Sequence, residues 1–200
     1  MVVSYPVMEH FYTIQGEGRY TGYPAYFIRL GGCDVGCVWC DVKDSWDADK
    51  HPKMSVTELL NEVKKTPSKI VVITGGEPAM HDLSPLVDAL KSEGFRAHIE
   101  TSGAHPISGQ LDWVCLSPKK FKAPLKEALA LANEFKVVVF HPSDIEWASK
   151  FLKDLPIHCE LFLQPEWSKA EIVLPLIIDF VKSNPNWKIS LQTHKFLNIP

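Results

Sequence analysis

Apolar residues recur along this chain in two rhythms. Runs rich in Val, Ile and aromatic residues at 25–30, 70–74, 97–100, 113–117, 135–140, 159–164 and 187–192 predict strands. Between several of them the apolar positions take helical spacing. Ser55-Val56-Thr57-Glu58 is a capping box, after which Val56, Leu59, Leu60 and Val63 share one helical face. Ser84 with Pro85 opens a second helix that Gly94 closes, and Ser143 with Glu146 opens a third. Ser168 and Glu171 form a cap pattern for a fourth, but Pro175 interrupts it, so a kink or a later start is expected.

Strand, helix, strand order implies right-handed crossovers and a mainly parallel sheet. A closed eightfold barrel takes about 250 residues. The expectation here is therefore α/β: an incomplete, TIM-like β/α barrel of about six parallel strands, one domain over 1–200. Ligands of such sheets sit at the C-terminal strand ends. The polar motifs fall at those ends: Gly31-Gly32-Cys33, Thr74-Gly75-Gly76-Glu77-Pro78, Glu100-Thr101-Ser102-Gly103 and Ser117-Pro118-Lys119.

Composition narrows the class of function. Hydrophobic residues are 46% of the chain, enough for a sizeable core, and the net charge of -3 gives no basic field for nucleic acid. The first residues carry no charged leader, and no uninterrupted apolar run of about 18 residues occurs to cross a membrane. A cytoplasmic location is expected.

The candidate chemistry centres on Cys33-Asp34-Val35-Gly36-Cys37-Val38-Trp39-Cys40. The CxxxCxxC spacing suits a 4Fe-4S cluster, and three thiolates leave one iron open to a small molecule. Structural zinc would want a second pair of ligands. Cys115 and Cys159 are isolated in apolar runs and read as buried strand residues. Five cysteines cannot all pair, which argues against a disulfide framework.

Together, CxxxCxxC and GGEP resemble the radical S-adenosylmethionine enzymes. The resemblance narrows, across nearly the whole chain, to the 7-carboxy-7-deazaguanine synthases. It is carried by Thr13-Ile14-Gln15-Gly16-Glu17-Gly18, Phe27-Ile28-Arg29-Leu30, Val72-Ile73-Thr74-Gly75-Gly76-Glu77-Pro78, Ile99-Glu100-Thr101-Ser102-Gly103, Ser117-Pro118-Lys119 and Gln192-Thr193-His194-Lys195-Phe196-Leu197-Asn198. It implies a lyase that converts 6-carboxy-5,6,7,8-tetrahydropterin to 7-carboxy-7-deazaguanine by radical ring contraction with loss of ammonia, on the way to queuosine. The implied radical comes from reductive cleavage of S-adenosylmethionine and removes hydrogen from C6 of the pterin. A flavodoxin- or ferredoxin-like electron donor and a homodimer are implied by analogy. The other readings are an activating enzyme that abstracts hydrogen from a partner's glycine, and an iron-sulfur electron carrier, which would need a fourth thiolate.

Site residues follow from the same resemblance. Cys33, Cys37 and Cys40 would hold the cluster. Gly75 and Gly76 would let backbone carbonyls approach the cofactor, with Glu77 placing negative charge opposite its ammonium. Trp39 would lie beside adenine, while Asp41, Ser117, Pro118, Lys119 and Gln164 would reach ribose or the methionine carboxylate. For the pterin, Arg29 offers a planar fork to the carboxylate. Ile14, Gln15 and Gly16 would give backbone and amide bonds, Thr74 a hydroxyl, and His194 and the carboxylate of Pro200 would close the site as a C-terminal tail. Taken alone, several of these residues have blander readings. GGEP and Gln15-Gly16-Glu17-Gly18 could be tight turns, Trp39 a core residue and Lys119 part of a solvated basic turn. The residue after Cys-Asp, usually a Thr or Ser that holds magnesium, is Val42 here, with no side-chain oxygen for a hard cation.

Overall fold

Described over residues 2–200 in a computed structural model, the chain opens with a long strand, β1 (Ser4–Ile14), that turns back antiparallel into β2 (Pro24–Leu30). A short β3 (Lys53–Ser55) pairs with the start of β1 and leads into α1 (Val56–Lys64). Then follow β4 (Ile70–Gly75), α2 (Ser84–Ser92), β5 (Arg96–Thr101), β6 (Trp113–Leu116), α3 (Lys126–Ala130) and β7 (Glu134–Val139). The chain continues through α4 (Ser143–Ser149), β8 (Glu160–Pro165), α5 (Ala170–Ser183), β9 (Trp187–Ile189) and α6 (Thr193–Leu197). One sheet results, in the order β3-β1-β2-β4-β5-β6-β7-β8-β9.

All seven predicted strands are present, as β2 and β4 to β9, and each pairs in parallel with the next. The parallel part thus has one strand more than the six expected, and β1 and β3 extend it. The missed β1 carries Pro6 and mixes polar Glu9 with apolar Phe11 on one face. Such a run is legible as a strand only once its partner is known.

Helix starts are right in place and partly wrong in mechanism. Ser55 and Glu58 do form the reciprocal capping box. At α2, however, Ser84 is already inside the helix, and its N–H donates to Asp82 Oδ1 at 3.0 Å. At α4 Ser143 is likewise helical, and Asp144 Oδ2 accepts from the N–H groups of Phe140 and His141 at 2.8 and 2.7 Å. The fourth helix begins later, at Ala170, after a tight turn over Trp167–Lys169, and keeps Pro175 inside. Pro175 is the sixth residue of this helix, so the bond that an N–H there would give the Glu171 carbonyl is missing. Cys115 is buried as expected, but Cys159 is half-buried just ahead of β8.

Period-2 alternation sorts the strands into two faces. Val71 and Ile73 of β4 and Ala97 and Ile99 of β5 pack with Leu83, Leu86 and Leu90 around α2. Phe135, Val137 and Val139 of β7 and Leu163 of β8 pack with Val173 and Ile177 of α5. The intervening residues face the other way: Thr74, Glu100, Lys136 and Gln164 line a cavity of about 280 Å³.

Candidate active site

The cavity is built at the C-terminal ends of the parallel strands. Parallel pairing places Arg29 beside Thr74 and Leu30 beside Gly75, so the loops leaving β2 and β4 run together. Backbone hydrogen bonds zip them: Gly76 N–H donates to Leu30 at 3.0 Å and Glu77 N–H to Gly32 at 2.8 Å. On its other side, Gly32 N–H donates to Ser45 at 2.7 Å and Cys33 N–H to Trp46 at 3.1 Å. The start of the cysteine loop is thereby fixed from both sides.

This contact gives the two glycines a reason the sequence did not disclose. A Cβ on Gly76 would stand 2.7 Å from Cys33 Cβ, and one on Gly75 would stand 2.8 Å from Leu30 N. The missing side chains are needed first for loop against loop. Glu77 is 1% exposed and its carboxylate is tied internally. Oε1 accepts from Ala79 N–H at 3.0 Å and Thr101 Oγ1 at 2.5 Å, and Oε2 accepts from Ser102 N–H at 2.8 Å and from Ser102 Oγ. Its charge stays in the cavity wall, but its lone pairs hold the GGEP turn to the end of β5.

Cys33, Cys37 and Cys40 all line the cavity, free of disulfides, beside Val35 and Ala104. Burial pushes the Cys37 thiol up to about 11 and raises Cys33 as well, so both are protonated until metal displaces the proton. Among the described residues, no three His, Cys, Asp or Glu side chains come together closely enough for a single ion. Three thiols spread along one wall suit a cube whose cysteines bind different irons, and not tetrahedral zinc.

On the same cavity, Arg29 is half-buried and its Nε pairs with Glu9 Oε1 at 2.6 Å. Ile14 and Thr74 line the cavity as well. Gln15 spends its backbone on the β1–β2 hairpin, pairing with Tyr23 and Gly22 at 2.8 Å each, while its Nε2 donates to Glu100 Oε1 at 2.9 Å. The carbonyl of Gly16 takes Thr193 N–H at 2.9 Å and Thr193 Oγ1 at 3.0 Å. Gln15 and Gly16 are therefore engaged within the protein, through the backbone groups or amide that the resemblance assigned to pterin. The tail does reach the site: His194 packs on Gly16, and the Pro200 carbonyl accepts from Thr13 Oγ1 at 3.4 Å. Burial lowers the His194 pKa, favouring the neutral ring.

Trp39, Asp41, Ser117, Lys119 and Gln164 line the cavity too, whereas Pro118 is buried behind it and does not. Lys119 is no solvated turn residue. Its Nζ donates to Ser117 Oγ at 2.7 Å and lies 5.8 Å from the centre of the Trp39 ring, and burial lowers its pKa. Gln164 is 3% exposed and accepts from Ser190 Oγ at 2.7 Å. Val42 lines the cavity without an oxygen, and Asp41 next to it is paired with Lys195 at 3.2 Å. Those side chains do not fit a protein-held magnesium ion.

Sequence reasoning missed three charged residues on the same wall. Lys136 Nζ pairs with Glu17 Oε2 and, at 3.1 Å, with Glu100 Oε2. A signal was present: a lysine inside Phe135-Lys136-Val137-Val138-Val139 is out of place in a buried strand unless it has a partner.

The chain is similar to proteins whose chemistry is known. The Radical SAM superfamily model matches residues 27–117, the span from β2 past the end of β6. The 7-carboxy-7-deazaguanine synthase of Flavobacterium psychrophilum is 52% identical over 195 residues, covering 98% of this chain and 92% of that one. That of Synechocystis sp. is 46% identical, covering 100% of this chain and 95% of its own. The crystal structure of QueE from Escherichia coli superposes with a TM-score of 0.85 at 38% identity, over 94% of each chain. The cysteine wall, the GGEP brace and the near full-length match together lead to one conclusion: this chain belongs to the 7-carboxy-7-deazaguanine synthase family of radical SAM enzymes.

Proposed function

We propose that this cavity converts 6-carboxy-5,6,7,8-tetrahydropterin to 7-carboxy-7-deazaguanine with release of ammonia. The observation that carries the reading is a single cavity holding both a wall of three thiols and a polar wall of Arg29, Glu17 and Glu100. Cys33, Cys37 and Cys40 would hold the cluster, with Trp39, Lys119, Ser117 and Gln164 around S-adenosylmethionine. When bound, these groups supply one-electron hydrogen abstraction from the substrate.

The chain's own residues orient and shield. Arg29 offers its guanidinium to the pterin carboxylate, with Glu9 fixing the fork. Thr74, beside it in register, supplies a hydroxyl. Glu17 and Glu100 turn acceptor oxygens towards the ring N–H groups, and His194 with the tail covers the opening. Gly76 and Glu77 keep the cysteine loop in place, so that cluster and substrate positions are set by one sheet. The cofactor's amino group falls to backbone carbonyls of the GGEP turn, since each Glu77 oxygen already accepts two hydrogen bonds, whereas each oxygen of Glu17 and Glu100 accepts one.

A cytoplasmic enzyme reduced by a flavodoxin- or ferredoxin-like protein fits this reading, as does a homodimer. Among the described residues no helix is long and apolar enough to cross a membrane. Trp167 and Phe196 stack edge to face at 5.3 Å while 44% and 69% exposed, an apolar rim suited to contact with another chain. The test is anaerobic incubation of reconstituted protein with S-adenosylmethionine, reductant and the carboxytetrahydropterin, with mass analysis for 7-carboxy-7-deazaguanine. Cofactor cleavage without that product would reject the substrate.

A further inference from the structure

Lys136 is 2% exposed, a charged side chain almost wholly removed from water. Its neighbours on β7, Phe135 and Val137, belong to the helix-packed core, and its own side chain turns to the cavity. Nζ pairs with Glu17 and, at 3.1 Å, with Glu100. The far oxygens of both carboxylates are held as well: Glu17 Oε1 accepts from Gln192 Nε2 and Glu100 Oε1 from Gln15 Nε2, each at 2.9 Å.

A buried ion pair is a poor stability device, because desolvation of the charges offsets their attraction. A well-packed apolar residue on β7 would serve the fold as well. The arrangement has a different consequence: one ammonium joins two carboxylates, Glu17 and Glu100, that both line the cavity. We propose that Lys136 is a positioning residue that keeps Glu17 and Glu100 ionised together, so that both present only acceptors to the N–H edge of the substrate. The inference rests on the pterin reading above and adds to it the group that sets the charge state of the binding wall.

Two carboxylates that share one ammonium repel each other once it is removed, which favours a proton, and so a donor, on one of them. A donor facing the substrate's N–H groups repels them. The titration of Glu17 agrees. Burial would raise the Glu17 pKa, yet the attraction and hydrogen bond of Lys136 and the hydrogen bonds of Gln192 and Gln164 together outweigh it and bring Glu17 down to about 2. The other groups facing Lys136 are Cys115 on β6 and Glu134 on its own strand, with His194 and Lys119 further off. Burial raises the Cys115 thiol well above its ordinary value, so no thiolate competes for the ammonium, and burial raises Glu134 as well.

Pterin affinity, measured anaerobically from about pH 6.5 to pH 8.5 at matched iron content, tests the proposal. The wild-type enzyme is expected to bind with little pH dependence. Lys136→Met should bind roughly tenfold more weakly near neutral pH and regain affinity as pH rises, when the shared proton leaves. Lys136→Arg keeps the charge and should restore the flat profile. A deficit in Lys136→Met of the same factor at every pH would overturn the proposal, since a merely structural residue behaves that way. If Lys136→Met does not fold, the wild-type profile decides: affinity that climbs over this interval means a carboxyl is still protonated despite Lys136, and also overturns it. Wild-type protein with a full cluster that binds no pterin at any pH would instead remove the pterin reading beneath it.

Discussion

The two faces of the one sheet are built by the same strands under opposite rules. On the helix-covered face Ile73, Ile99, Leu116, Phe135 and Leu163 are at most 0% exposed and wholly apolar. One residue along each strand, the other face carries Thr74, Glu100, Ser117, Lys136 and Gln164. The first face follows area and shape, each fully buried large side chain contributing roughly 1.5–3 kcal/mol. The second gives up that stabilisation and places charge and hydrogen-bonding groups in a low-dielectric cavity. Stability and chemistry are thus separated by a period of two, and substitutions on either face should fail in different ways.

The largest expected effect is on the cavity side. Cys37→Ala should abolish cluster assembly and turnover while leaving the fold intact, whereas Cys115→Ala, buried in β6, should keep its iron. Iron and sulfide analysis after anaerobic reconstitution checks this, and full loading of the Cys37 variant would refute the assignment. The opposite failure is expected for Leu163→Ala on the helix side: a loss of about 2–5 kcal/mol in unfolding free energy. Denaturant melts of the metal-free protein measure it, and iron binding below the melt should be unchanged.

This division also explains what the sequence disclosed. The helix-side face is a repeating apolar signal, and all seven parallel strands were legible from it. The cysteine wall was legible because local spacing alone carries it. The roles of Gly16 and Gly76 were not, because the atoms that exclude a Cβ, at His194 and Cys33, are brought there by pairing between distant segments. Lys136 was overlooked for a related reason. Its partners lie 119 and 36 residues away along the chain, and a charge in a strand has meaning only when they are known. Pro118 is the converse case: its place in a matched motif reflects the strand end that positions Ser117 and Lys119, not a wall of the cavity.

The polar face has a cost that pH exposes. His98 is 3% exposed beside Tyr20 and Trp113, and its Nε2 has no hydrogen-bond partner among the described residues. Burial, helped by Arg96, lowers its pKa from 6.5 to about 4. The unfolded chain therefore takes up the proton more readily, and stability present above about pH 6.5 is lost as pH falls towards 4, by up to about 3 kcal/mol. His98→Phe should flatten that slope in unfolding measurements; an unchanged slope would place the acid sensitivity elsewhere. Arg29→Lys keeps the charge but loses the planar fork, and should weaken pterin binding by about 1.5–3 kcal/mol with little change in stability. Equal affinity would remove Arg29 from the carboxylate site.

The smallest effect sharpens the comparison most, since it separates the tail from both faces. Gly16 ends the β1 side of the hairpin, and its carbonyl is bound by the N–H and hydroxyl of Thr193. A Cβ there would stand 2.8 Å from His194 Cβ. Gly16 lacks the positive φ of Gly18 and Gly22, so Ala introduces no backbone strain and reports the contact alone. His194 cannot retreat easily, because Thr193 is pinned on one side and its own carbonyl accepts from Ile199 N–H at 3.2 Å on the other. Gly16→Ala should therefore displace α6 from the cavity and weaken pterin binding by about 1 kcal/mol, with cluster loading and melting unaffected. Binding of the pterin followed by calorimetry at matched iron content measures this. Unchanged affinity would mean that the tail covers the cavity without helping to hold what lies inside.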